Sequence, residues 1–290
     1  TIKALTTFAG LKYGICDGNS SWYCTGFWTG FGEQYGMHCW LLSGHGTVNL
    51  ITGITNSCDI VFYEIGKGFF YDNNHPEGMQ ETFRAFGLGA LSGIDLPEEA
   101  SGRVPDAEWK WNYFTSSPDD ARKWQGGDNC NLAIGQGDLL VTCLQMANAY
   151  CGIANRGPIY KPHVLKSINA RNGNGSVIEY KNEVILSPEE KDEHRDIVAR
   201  GLYGVVYEES ASQTIHWTNL DVTVNGKTGT AEQQSIGEPV GWFVGYAPAD
   251  KPQYVVAANL DCAPSGAGSG MYIVRDVFGA IYNQPDNVGR

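Results

Sequence analysis

Residues 222–261 read VTVNGKTGTAEQQSIGEPVGWFVGYAPADKPQYVVAANLD. Three runs in this stretch, Val222–Thr230, Val240–Tyr246 and Gln253–Asp261, are rich in β-branched and aromatic residues and are separated by connections carrying Gly, Pro and Asp. That is the pattern of consecutive short strands. A helical pattern follows over Met271–Tyr282, and helices dominate upstream: 1–14 is helix body ending near Gly14, and 47–71 is helical with an interruption at Asn56 and Ser57. Residues 138–156 read as a buried helix started by Asp138 and stopped by Gly157-Pro158. Residues 187–209 read as an amphipathic helix in which Ser187 caps, Pro188 fills the first turn and Glu189 and Glu190 face the dipole. Between these two, Val164 to Ile178 suggests a hairpin turning on the Asn-Gly pairs at 172–175. Helices first, strands after and a closing helix predict an α+β fold, an antiparallel sheet of about five strands covered by helices, rather than βαβ repeats.

The 290 residues are read as one domain. It comprises a helical region over about 1–160, strands mainly at 160–180 and 220–262, and the closing helix at 271–282. Within the helical region, 16–46 is aromatic and Gly-rich (Trp22, Tyr23, Phe27, Trp28, Phe31, Tyr35, Trp40) without either period, an ordered loop insertion. From Phe83 the text is turn-like through Gly87, Gly89, Gly93 and Pro97, and the polar, Trp-containing stretch at 105–129 is read as surface. Hydrophobic residues at 42% exclude a disordered chain, and a net charge of −12 argues against nucleic acid as a partner. No apolar run is long enough for a membrane helix, and no signal-peptide pattern is present. The chain opens at Thr1 already in a helical pattern and is expected to be a fragment.

Eight cysteines (16, 24, 39, 58, 130, 143, 151, 262) include no Cys-x-x-Cys pair. With no His cluster at ligand spacing, no metal or other cofactor is expected. Cys16, Cys24 and Cys39 sit in loop-like text and could pair, whereas Cys58, Cys143 and Cys151 look like small buried hydrophobes. His45, between Gly44 and Gly46, is the one histidine in a setting suited to chemistry, and is read as a turn or supporting group.

In Lys227-Thr228-Gly229-Thr230 the strand period puts Lys227 and Gly229 on one face, a cation beside bare backbone able to cradle a carboxylate. Ser57-Cys58-Asp59 and Lys3 are weak signals singly, but their order is informative. Thr1-Ile2-Lys3 would complete a Ser-x-x-Lys motif if a serine preceded Thr1, with Ser-x-Asp at 57–59 and Lys-Thr-Gly at 227–229 following. Further blocks run in the same order: 44–49, 86–89 with 93–97, Ala133-Ile134-Gly135-Gln136-Gly137-Asp138, 144–150, 226–231 and 242–248. On these residues the chain resembles the transpeptidase domain of class B penicillin-binding proteins, most closely the elongation-type subgroup.

The resemblance implies a serine acyltransferase that cross-links D-alanyl-D-alanine stem peptides of peptidoglycan and is a target of β-lactams. Lys3 would take the serine's proton, Ser57 would relay a proton to the leaving amine, and Asp59 would bind the substrate amide or orient Lys3. Lys227, Thr228 and Gly229 would hold the substrate carboxylate together with Thr230, whose N–H would supply half of an oxyanion hole. Asp at the third position of Ser-x-Asp, where relatives commonly have Asn, marks the elongation-type subgroup, and Cys143 stands where many relatives have Pro. The 290 residues alone are expected to be inactive for want of the nucleophile. Expected partners are membrane-embedded elongation and glycosyltransferase proteins, at the outer face of the cytoplasmic membrane. Two other readings are a β-lactamase or penicillin sensor, for which no deacylating base is evident, and a non-catalytic envelope scaffold.

Overall fold

A computed structural model describes residues 1–171, 175–208, 217–232, 239–263 and 266–282. Helix α1 (Lys3–Lys12) is covered from Lys3 to Leu11. A helix buried all round serves as a core axle. The insertion after it is more regular than its sequence suggests. β1 (Ser21–Cys24) pairs antiparallel with β4 (Gly46–Asn49), Cys24 opposite Gly46, and β2 (Phe27–Trp28) pairs with β3 (Met37–His38). Strands of two to four residues are too short to display an alternation.

Asn49 then caps α2 (Leu50–Thr55) in a capping box with Thr52. α3 (Asp59–Tyr71) starts after a sharp corner at Ser57-Cys58, where Ser57 has φ +51°. α4 (Gly78–Ala85), α5 (Ala107–Tyr113), α6 (Asp119–Arg122) and α7 (Gly126–Ile134) occupy stretches that the sequence reading left irregular. At four to nine residues, they show too few turns for a helical period to emerge.

Helix α8 (Cys143–Ala154) begins five residues later than Asp138. Thr142 and Gln145 form a reciprocal capping box, whereas the third residue after Asp138 is Val141, which cannot return the bond. The segment before it is extended, and Leu140 exchanges both backbone hydrogen bonds with Arg103. β5 (Ile159–Tyr160) pairs with β8 (Val184–Leu186), and β6 (Ser167–Asn169) pairs with β7 (Ser176–Glu179) as the expected hairpin. Of the Asn-Gly pairs at 172–175 expected to form its turn, residues 172–174 lie outside the described residues. α9 (Asp192–Tyr207) also starts late: Glu190 turns its carboxylate to His194, and Asp192 and Glu193 are the acids of the first turn.

The principal sheet has three antiparallel strands among the described residues, not about five, in the order β11 (Tyr254–Leu260), β10 (Val240–Ala247), β9 (Asn225–Ala231). Its α10 cover (Gly266–Ile281) buries Met271, Val274 and Phe278 with Phe243 and Trp217. Each large side chain so buried contributes about 1.5–3 kcal/mol of transfer free energy. A larger apolar layer surrounds α1 and α3. β9 is left as an edge, and that edge runs beside the start of α1: the Thr1 nitrogen lies 3.0 Å from the Thr228 carbonyl oxygen.

Candidate active site

Three elements converge at the start of α1. Lys3, in its first turn, directs Nζ to three acceptors of the α2–α3 corner: the Ser57 carbonyl at 2.7 Å, Ser57 Oγ at 2.9 Å and Asp59 Oδ1 at 2.7 Å. Three acceptors match the three hydrogens of an ammonium. The left-handed Ser57 makes this possible, since it turns its carbonyl and hydroxyl toward the same cation. Burial alone would raise the Asp59 carboxyl; the charge of Lys3 and the hydrogen bonds from Lys3 and the Trp40 N–H (2.9 Å) outweigh it and hold the group below the ordinary carboxylate range.

On β9, Lys227 is fully buried and its Nζ lies 3.2 Å from Thr228 Oγ1. Register places Thr228 opposite Phe243 and Thr230 opposite Gly241. The Thr228 carbonyl faces the Thr1 nitrogen, and the Thr230 carbonyl and Glu232 N–H face Gln136, so these backbone groups point away from β10. At Gly229 a Cβ would stand 3.0 Å from the Thr1 nitrogen and 3.2 Å from Trp242 Cβ, so the strand and the start of α1 approach at glycine distance. Lys3, Ser57 and Asp59 thus form one hydrogen-bonded set, and Lys227 to Thr230 line the β9 edge that the α1 start touches.

Residue-by-residue reading missed three contributors. Trp40 fixes Asp59 through its backbone and reaches the Asn56 carbonyl at 2.9 Å through its indole N–H. Tyr150, fully buried on α8, donates to the Thr1 carbonyl at 2.9 Å. Gln136 bonds the β9 edge. Tyr150 and Gln136 lie in sequence blocks quoted above for the resemblance, which was the one signal able to flag them.

The expectation of no metal-ligand cluster needs correction. The ligand atoms of Cys24, Cys39, His45 and Cys58 all lie within 4.8 Å of one another. His45 Nδ1 is 3.5 Å from Cys24 Sγ and 3.6 Å from Cys39 Sγ. A tetrahedral zinc-type centre, with metal–sulfur near 2.3 Å and metal–nitrogen near 2.0 Å, places sulfur and nitrogen about 3.5 Å apart. The other ring nitrogen, Nε2, is buried without a hydrogen-bond partner. Cys39 is favoured as thiolate by the Cys58 thiol and the Asp59 N–H that donate to it, while Cys58 is pushed up by its bond to Cys39 and by burial. The donor set therefore fits a tetrahedral divalent metal. Chain spacing conceals it, because the four ligands come from β1, the loop after β3, the approach to β4 and the α2–α3 corner.

The Acinetobacter baumannii protein named peptidoglycan D,D-transpeptidase MrdA is 30% identical over 302 residues, covering 96% of this chain and 41% of that protein. Pseudomonas aeruginosa PBP2, solved in complex with WCK 5153, superposes with a TM-score of 0.81 at 26% identity, over 97% of this chain and 60% of that one. Helicobacter pylori PBP2, solved in complex with MreC, gives 0.78 at 24% identity over 97% and 48%, a likeness of fold alone. The chain thus spans less than half the length of such curated relatives. Residues 1–283 match the penicillin binding protein transpeptidase domain, and the chain belongs to that family.

Proposed function

We propose that this chain is the transpeptidase-domain portion of a peptidoglycan D,D-transpeptidase of the elongation type. The observation that carries the reading is the Lys3–Ser57–Asp59 set beside the β9 edge, with the Thr1 nitrogen 3.0 Å from the Thr228 carbonyl oxygen. A serine joined ahead of Thr1 would lie between these two groups. Its Oγ attacks the carbonyl of the penultimate D-alanine, the amide bond breaks, and the terminal D-alanine leaves with a proton relayed by Ser57. An amine of a second stem peptide then attacks the ester and restores the serine hydroxyl. Lys3 takes the serine Oγ proton as it hands one of its own to Ser57, which passes its hydroxyl proton to the leaving nitrogen, and Asp59, rather than contacting substrate, orients Lys3. Lys227 and Thr228, with the bare Gly229 between β9 and α1, receive the substrate carboxylate. The Thr230 N–H and the serine's own N–H stabilise the oxyanion.

Cys24, Cys39, His45 and Cys58 would hold a zinc-type ion whose contribution is structural: it ties the insertion to the Ser57-Cys58-Asp59 corner. MrdA relatives are peptidoglycan D,D-transpeptidases by their printed name, and a complex with MreC is known for the H. pylori protein; we extend from these an envelope location, outside the membrane and among elongation proteins, to this one.

The experiment extends the chain by one residue, serine or alanine, ahead of Thr1. Exposure to benzylpenicillin followed by intact-mass measurement should give a covalent penicilloyl adduct with serine and none with alanine or with the 290 residues alone. No adduct on the folded serine form would remove the reading.

A further inference from the structure

The Gly135-Gln136-Gly137 step has no role in the chemistry above, yet it is held tightly. α7 ends at Gly135 with φ +81°, and Gly137 is also left-handed at φ +72°. A Cβ on Gly135 would meet Ile2 at 2.9 Å. The Gln136 N–H donates to the Asn131 carbonyl at 2.8 Å, and Thr6 Oγ1 donates to the Ala133 carbonyl at 2.7 Å. The backbone is therefore locked against α1, and the Gln136 side chain is directed at the β9 edge. Its Nε2 donates to the Thr230 carbonyl at 3.3 Å and its Oε1 accepts from the Glu232 N–H at 3.4 Å. One carboxamide thus meets two successive outward groups of a strand edge with a donor and an acceptor, the two kinds of group that an added strand would present there.

The position it takes can be identified. In an antiparallel pair, a hydrogen-bonded residue exchanges both its N–H and its C=O with the residue opposite. If the Thr230 N–H receives the carbonyl under attack, the Thr230 carbonyl receives the N–H of that same substrate residue. Gln136 Nε2 sits on that carbonyl. We propose that Gln136 is a substrate-displaced cap of the β9 edge: its carboxamide stands in for the amide N–H of the penultimate D-alanine, and a stem peptide must turn it out to bind. The identity of the peptide rests on the D,D-transpeptidase reading; the cap itself does not. Both of its bonds lie at the long end of hydrogen-bond geometry, so the side chain can swing while the backbone stays fixed. Between turnovers the cap also shields an open strand edge from pairing with other chains.

The test uses the full chain with Gln136→Ala and with Gln136→Met, which keeps length and bulk but removes both hydrogen bonds. Hydrogen exchange of the Glu232 amide should accelerate at least several-fold in both variants; an unchanged rate would overturn the cap. Titration with N-acetyl-L-lysyl-D-alanyl-D-alanine, followed by NMR, should show the Gln136 side-chain amide signals moving in the wild type. The apparent Kd should fall several-fold in Gln136→Ala. Equal or weaker binding by that variant would overturn displacement, the weaker case making Gln136 a direct substrate ligand. Binding by none of the three proteins would remove the D,D-transpeptidase reading and displacement with it, while the exchange result would still decide the cap.

Discussion

At Asp59 burial and charge oppose each other, and the resolution determines how the site responds to acid. The side chains of Lys3 and Asp59 are 7% and 13% exposed, so neither ion is compensated by water. Removing one partner of a buried pair costs about 3–5 kcal/mol, because the other is left charged and alone. Asp59→Ala should therefore lower stability by about that amount in urea titrations, and Lys3→Met with Asp59→Leu together should restore part of it. The folded-state pKa of Asp59 lies below its unfolded value. Its stabilisation is thus complete above the unfolded value, near 3.9, and is lost as pH falls through the folded value. The drop in stability below about pH 4 should be shallower in Asp59→Asn than in the wild type; parallel curves would show that the pair is not what titrates. At this scale the sequence supplied the residue types and their order, since Lys3, Ser57 and Asp59 are all named by motif. It could not supply the direction of the contact, because the bond from Lys3 to the Ser57 carbonyl depends on a left-handed backbone that no side chain announces.

The Ser57 corner is only as well placed as the helix that leads into it, and α2 is set by its packing on α9. That contact is close because α9 presents glycines: a Cβ on Gly204 would stand 2.1 Å from Thr55 Oγ1, and one on Gly201 would stand 2.7 Å from Ile54 Cβ. Thr55 is the last residue of α2, two before Ser57. Gly204→Ala should therefore do two things. Overpacking should cost about 1–3 kcal/mol, read as a fall in Tm. The displaced α2 should also slow acylation in the serine-extended protein, whereas a surface glycine-to-alanine change such as Gly127→Ala, with open space around the new methyl, should do neither. An acylation rate unchanged by Gly204→Ala would show that the corner is positioned from α3 alone. Long elements such as α1, α3, α9 and the β9–β11 sheet were readable because each carries several periods of its pattern. The insertion, α4 to α7 and the late starts of α8 and α9 were not. There the outcome depended on caps, such as Thr142 with Gln145, that compete locally, and on partners distant in the chain.

For the molecule as a whole, eight cysteines in a chain proposed to work outside the membrane pose a chemical problem, because that compartment oxidises thiols. The fold leaves all eight unpaired. Burial protects Cys16 and Cys130, both pushed up to about 12, so little thiolate is available for attack. It does not protect Cys39, whose thiolate is favoured next to the Cys58 thiol. A metal bound by Cys24, Cys39, Cys58 and His45 would occupy these sulfurs and fasten the insertion to the corner that carries Ser57 and Asp59. Chain purified without chelator should then contain about one zinc per molecule by elemental analysis. In a thiol-reagent titration of the folded protein, exposed Cys262 should react first and the half-buried Cys143 and Cys151 slowly. Chelation should release the metal, make three further thiols reactive and lower Tm, and added zinc should reverse all three effects. Cys58→Ala should lose the metal while keeping the residues on either side that bond Lys3. Equal thiol counts with and without chelator, and no metal retained, would mean that the four ligands are held together by packing and hydrogen bonds alone. The corner that carries Ser57 and Asp59 would then depend on its apolar core to keep the insertion in place.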